Sequence, residues 1–185
     1  MKRLGFDLIL LGDSASGKDT QALSLAKTYH LKLARSGEFL RRYRARQYVQ
    51  GAPAPSRLII PFLRDSFKKL GARDLLFVGA ARLEPEAEYL VKQLNRRHRD
   101  FFAVYLRLPA REVIKRSQKR AQRPEDTDLK LIRQRLKYYK TQVGRTVKFY
   151  QRLHKLKFVD ANQSIKEVNQ DLLRIIHDYQ KRARA

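Results

Sequence analysis

Gly12-Asp13-Ser14-Ala15-Ser16-Gly17-Lys18 is the segment that most constrains how this chain can fold. It satisfies the pattern G-x-x-x-x-G-K. Before it lies an apolar run, Phe6-Asp7-Leu8-Ile9-Leu10-Leu11; after it, from Lys18 to about Tyr29, Ala22, Leu23, Leu25 and Ala26 fall on one helical face. A short apolar run ended by glycine reads as a buried parallel strand. Strand, glycine loop and helix in that order form a backbone cradle for phosphate. The glycines let the chain wrap closely, consecutive N–H groups point inward, and the helix N-terminus adds partial positive charge. Lys18 is placed to reach the outer phosphates. Asp19 follows, where the general pattern expects Ser or Thr, and then Thr20. Asp19 reads two ways, as a first-turn helix charge or as a carboxylate near a bound metal.

The rest of the chain alternates in the same manner. Leu75 to Val78, Phe101 to Leu108 and Lys157 to Val159 are strand-like. Helices are expected from Ser36, as N-cap, to about Val49 and, after the break Gly51 to Ser56, on to Leu70, with Pro61 kinking the chain or restarting it. Further helices are expected over Glu84 to Leu94, from Pro109 onward, from Asp126 or Thr127 through Tyr150, and from Ser164 to about Tyr179. Strands alternating with helices predict a three-layer α/β/α fold of the P-loop NTPase type with a mostly parallel sheet. No linker divides it, so residues 1–185 read as a single domain.

Composition narrows the partners. Among 185 residues, 42 Lys and Arg face 18 Asp and Glu, a formal charge of +24, and such an excess predicts polyanionic company: nucleotide phosphates, nucleic acid or an anionic membrane surface. Cysteine is absent, which excludes disulfides, thiolate metal sites and cysteine nucleophiles. No stretch approaches a membrane span, and the short apolar run after Met1-Lys2-Arg3 lacks a cleavage site. The expectation is a cytoplasmic monomer. Histidines 30, 98, 154 and 177 show no ligand spacing and are expected at the surface. Tyr138, Tyr139, Phe149 and Tyr150, at helical spacing, read as core.

Gly17-Lys18-Asp19-Thr20-Gln21-Ala22 resembles the G-K-G-T-Q-A loop of adenylate kinases and related nucleoside monophosphate kinases. The likeness continues in order. Ser36-Gly37-Glu38-Phe39-Leu40-Arg41 is similar to T-G-D-L-L-R, and Gly79-Ala80-Ala81-Arg82 with Glu86-Ala87 to G-F-P-R followed by Q-A. Arg123-Pro124-Glu125-Asp126 and Arg133-Gln134-Arg135-Leu136 are similar to R-x-D-D and R-x-R-L. The resemblance implies ATP with Mg2+ as phosphoryl donor and a nucleoside monophosphate, AMP first, as acceptor. It implies an acceptor-binding helical insert at about residues 36–70 and a short lid at about 115–126. Gly12 through Thr20 would hold the donor phosphates, and Ser36, Arg41, Gly79, Arg82 and Glu86 the acceptor. Lys18, Arg82, Arg120, Arg123 and Arg135 would stabilise the transferring phosphoryl.

The departures bear on activity. Ser14-Ala15 replaces the family's P-G, Val78 replaces an acidic residue that helps organise magnesium, and Glu86 replaces a base-reading glutamine. A carboxylate only accepts hydrogen bonds, whereas an amide also donates. Glu86 therefore reads as a base contact or as an exposed helix residue, and Glu125 and Asp126 as helix-start charges or partners of lid arginines. An alternative of another class is a nucleic-acid-associated ATP-binding protein, with basic clusters at 41–46, 96–99, 115–120 and 181–184 following a phosphate backbone.

Overall fold

The computed structural model describes residues 4–42, 54–71, 74–120 and 124–183, and within them the side chains of all but 41, 42, 124 and 125. Five strands form one parallel sheet in the order β2-β3-β1-β4-β5: β1 (Asp7–Gly12), β2 (Lys32–Arg35), β3 (Leu75–Val78), β4 (Phe101–Arg107) and β5 (Leu156–Asp160). The helices are α1 (Lys18–Tyr29), α2 (Ser36–Arg42), α3 (Ser56–Leu70), α4 (Glu84–Asn95), α5 (Ala110–Arg120), α6 (Pro124–Thr127), α7 (Leu129–Tyr138), α8 (Gly144–Arg152) and α9 (Ile165–Arg182). A π turn, Tyr139–Val143, joins α7 to α8.

Alternation along β1 explains the three layers. Leu8 and Leu10 point to one face, where they meet Leu25 of α1 and Leu172 and Ile176 of α9. Ile9 and Leu11 point to the other, with Leu63 of α3, Leu90 of α4 and Tyr150 of α8. Both faces are covered, which is why β1 and β3 read as unbroken apolar runs rather than alternating ones. The chain runs outward from β1 to β2 and back through β3, then crosses to β4 and β5. The loop after β1 thus stands at the carboxyl edge where the winding reverses, the place where open parallel sheets bind ligands.

Several expectations change in detail. The strand β2 carries no apolar run, since of Lys32-Leu33-Ala34-Arg35 only Ala34 is buried at this sheet edge. Ser36 does not cap α2; its hydroxyl donates to the Gly79 carbonyl at 2.9 Å, across the carboxyl end of β3. Pro61 neither ends nor restarts α3, which runs unbroken from Ser56 to Leu70. The single long helix expected from Asp126 or Thr127 is interrupted at Asp128, whose carboxylate accepts from the Lys130 and Leu131 N–H groups and caps α7, and again by the π turn. All four histidines are exposed, and Tyr139 and Tyr150 are buried, as their patterns predict.

Gly12 allows β1 to lie against β4. A Cβ there would come within 2.7 Å of the Leu106 Cβ and carbonyl oxygen, and φ is +152°. Gly12→Ala is therefore expected to destabilise the fold by about 1–3 kcal/mol through overpacking, measured as a lowered midpoint in urea unfolding.

Candidate active site

The loop after β1 is fixed by its own first side chain. Asp13 accepts from the Tyr105 hydroxyl at 2.7 Å and from the Leu108 N–H at 2.8 Å, and its own N–H donates to the Leu106 carbonyl at 3.1 Å. Burial and the neighbouring Asp13 carboxylate push the Tyr105 phenol up, so it stays a donor. Ala15 and Gly17 have φ of +57° and +82°, the left-handed geometry that curls the loop. Ser16 is buried, while Asp19 and Thr20 stand exposed in the first turn of α1.

Lys18 folds back into this loop and donates to the Gly12 carbonyl at 2.8 Å, to the Asp13 carbonyl, and at 3.3 Å to the Ser16 hydroxyl. Its ammonium is lowered to about 7, first by burial and then by Arg82, with Arg120 adding to the repulsion; Asp13 and Asp19 only partly oppose this. Arg82 and Arg120, far apart in sequence, thus converge on Lys18.

Arg82 leaves the end of β3 through a tight turn. Its guanidinium donates to the Tyr139 hydroxyl at 2.8 Å, and its carbonyl accepts from the Thr146 hydroxyl at 2.7 Å. Gly79, at φ +62°, lies so close beneath that a Cβ would meet the guanidinium at 2.5 Å. Glu86, 1% exposed, holds the turn from the other side. One oxygen accepts from the Arg82 and Leu83 N–H groups at 2.9 and 3.2 Å, and the other from the Ser56 hydroxyl at 3.2 Å. Burial pushes this carboxyl up, against the downward pull of those donors. The exposed-helix reading of Glu86 therefore fails: it caps the buried first turn of α4.

Asp126 draws two arginines together. It is fully buried and takes a bidentate pair from Arg120, at 3.0 and 2.7 Å, and a third contact from Arg135 at 3.3 Å. Burial works against its charge, but the two arginines overcome it and hold the carboxyl below its ordinary range. Of its two readings, the contacts favour partner of arginines, here Arg120 and Arg135. Arg135 also donates to the Ser14 hydroxyl at 3.1 Å, joining α7 to the phosphate loop. The Arg41 side chain and all of Arg123 lie outside the described residues.

The structure thus brings together Gly12 to Gly17, Lys18, Arg82, Arg120 and Arg135, with Ser36 and Gly79 bonded to each other below Arg82. Two participants carry no motif. Tyr139 reads as core and Tyr105 only as part of a strand; both are buried, yet each hydroxyl positions a site residue. The available signal was a tyrosine where phenylalanine would pack as well. A glycine loop at the switch point of a parallel sheet, faced by arginines from three directions, defines a P-loop protein built to handle phosphoryl groups between nucleotides.

No family model matches the chain. Among curated proteins, it is similar to the adenylate kinase of Parabacteroides distasonis, 30% identical over 78% of this chain and 83% of that protein. It is similar also to adenylate kinase 1 of Synechocystis sp., 29% identical over 91% and 96%, and to the adenylate kinase of a Synechococcus strain, 26% identical over 95% and 98%. The chain belongs to the adenylate kinase family. It is an ATP-dependent nucleoside monophosphate kinase, a phosphotransferase.

Two outcomes follow from the charges. With its ammonium lowered to about 7, Lys18 is expected to be mostly neutral in the free protein at pH 8, and phosphate held in the loop would restore its charge, so nucleotide binding should take up a proton. At pH 6 the lysine is already charged and uptake vanishes. Calorimetry in buffers of different ionisation enthalpy should show uptake approaching one proton at pH 8 and none at pH 6. Asp126→Asn leaves Arg120 and Arg135 without their shared counter-charge, and turnover should fall at least tenfold in a coupled ADP assay, with less effect on ATP affinity.

Proposed function

We propose that this protein transfers the γ-phosphoryl group of ATP to AMP, releasing two ADP. The observation that carries the reading is the glycine loop with Lys18 seated in it, joined through Ser14 and Arg135 to the Asp126–Arg120 pair. Phosphoryl transfer needs little covalent help from protein; alignment, exclusion of water and neutralisation of the charge spreading over the equatorial oxygens do most of it. Arginine suits that task because its planar fork stays charged and grips phosphate through two donors. AMP is taken as acceptor because the similar proteins are named adenylate kinases.

In this reading the loop N–H groups from Ser14 to Thr20 hold the donor phosphates, and Lys18 swings from the Gly12 and Asp13 carbonyls to the outer ones. Arg82, with Arg41 and the Ser36–Gly79 floor, receives the acceptor phosphate. Arg120, Arg123 and Arg135 close over the transferring group. Residues at about 36–70 form the acceptor side and those at about 115–126 the lid. Glu86 serves as a support of the Arg82 turn rather than as a base contact.

Magnesium fits these residues in a particular way. Asp13 is engaged by Tyr105 and Leu108, Val78 is apolar and buried, and Asp19 is exposed with no hydrogen bond or ion pair among the described residues. Such a set suits an ion carried mainly by phosphate oxygens and water, with Asp19 at its outer edge. When bound, the ion supplies neutralising charge between donor phosphates.

The test is ADP formation from ATP and Mg2+ with AMP, GMP, CMP, UMP or dTMP. AMP is expected to turn over, and Lys18→Ala should reduce the rate at least a hundredfold, roughly 3 kcal/mol of transition-state stabilisation. Preference for another monophosphate would overturn the acceptor, and an unimpaired mutant the role of Lys18.

A further inference from the structure

The site accounts for only a handful of the 42 basic residues. The largest unexplained concentration is Leu129 to Val159, which holds ten Lys and Arg and no Asp or Glu. These residues are sorted by direction. Ile132, Arg135, Tyr139, Val143 and Tyr150 are buried, toward the sheet and the phosphate loop. Lys130, Arg133, Lys137 and Lys140 on one side of the π turn, and Arg145 and Lys148 beyond it, are exposed. None of these six forms an ion pair among the described residues, whereas Arg152, next in the series, pairs with Glu84 at 3.2 Å.

The π turn keeps the two halves in line. Steps of three and four residues hold a row on one face of an α-helix, but the step from Lys140 to Arg145 is five. In an α-helix that step would swing Arg145 about 140° away from Lys140. Falling on a π turn, where hydrogen bonds span five residues, the same step closes about one turn. The result is one row of positive charges, roughly 5–6 Å apart, along the outward side of α7, the π turn and α8.

We propose that this row binds the phosphate backbone of a single nucleic-acid strand, without base preference and independently of phosphoryl transfer. A single file of charges matches one backbone. A membrane surface fits poorly, because an interfacial helix needs its apolar side free to insert, and here that side is buried in the core. The row also points away from Arg135 and Tyr139, so an occupied row leaves the transfer site open.

Fluorescence anisotropy with a labelled uridine oligonucleotide of roughly 20 nucleotides tests this. Six contacts predict that log affinity falls with log salt at a slope of about −4, from roughly 0.7 per phosphate on a single strand. The combined Lys137→Gln, Lys140→Gln, Arg145→Gln and Lys148→Gln variant should bind roughly a hundredfold more weakly at 0.1 M salt, with a slope near about −1.4. ADP formation and thermal unfolding should match wild type, showing that the fold is intact; Lys148→Gln alone should shift the slope by about 0.7. Equal binding by wild type and the combined variant overturns the proposal, as does tighter binding of a duplex of the same length. Absence of oligonucleotide binding also overturns it, and retention on vesicles roughly one third phosphatidylserine would then assign the row to a membrane surface.

Discussion

The Asp13 carboxylate holds the phosphate loop to the sheet, and the geometry of the site depends on it. A loop of small residues has many conformations, and a cradle works only if one of them is already selected. Asp13 selects it by bridging a side chain of β4, the Tyr105 hydroxyl, and the backbone just past that strand, the Leu108 N–H. The neighbouring carbonyl oxygens of Gly12 and Asp13 then face inward as a seat for the Lys18 ammonium. The same carboxylate offsets part of the repulsion that Lys18 receives from Arg82 and Arg120. One anionic group therefore fixes both the shape of the loop and the standing of its lysine.

Charge balance sets the next level. A fold that gathers cations around a pocket for anions must hold them in place before the anions arrive. Here each arginine has its own device. Arg120 and Arg135 share Asp126, while Arg82 rests on the Tyr139 hydroxyl above the close approach at Gly79. Lys18 is left as the group that gives way, because an amine can shed its proton whereas a guanidinium cannot. In the proposed function, phosphate entering here would relieve repulsion and restore that proton in one step, making binding and electrostatic relaxation the same event.

What the sequence made legible follows from how local each signal is. The strand, loop and helix from Asp7 to Tyr29 are a contiguous pattern, and they form where that pattern puts them. Arg82 and Arg135 were legible because they stand in short motifs whose order along the chain matches a family. The strand β2 was not, since at a sheet edge its pairing with β3 decides its conformation and its side chains do not. Ser36 looked like a helix cap because spacing shows the helix beside it and not the Gly79 carbonyl across from it. Tyr139 was legible only as apolar bulk and Tyr105 only as a strand residue, because a hydroxyl's partner is a fact of tertiary structure.

The charge pattern separates two roles that a net charge of +24 merges. Inside, every described arginine around Lys18 is tied to a partner and aimed at one small volume. Outside, six basic side chains of the same helical segment carry no ion pair among the described residues and form a row. Arg133 and Arg135, two residues apart on α7, belong to opposite groups, one exposed and one 7% exposed with a bond to the phosphate loop. That divergence follows from helix geometry, since residues two apart point about 200° from each other. A chain needing cations only for catalysis would gain nothing from Arg133, and repulsion along an unpaired row costs stability. The row is therefore a feature that the phosphate pocket does not explain, and its alignment through a π turn gives it a geometry that scattered surface charge lacks.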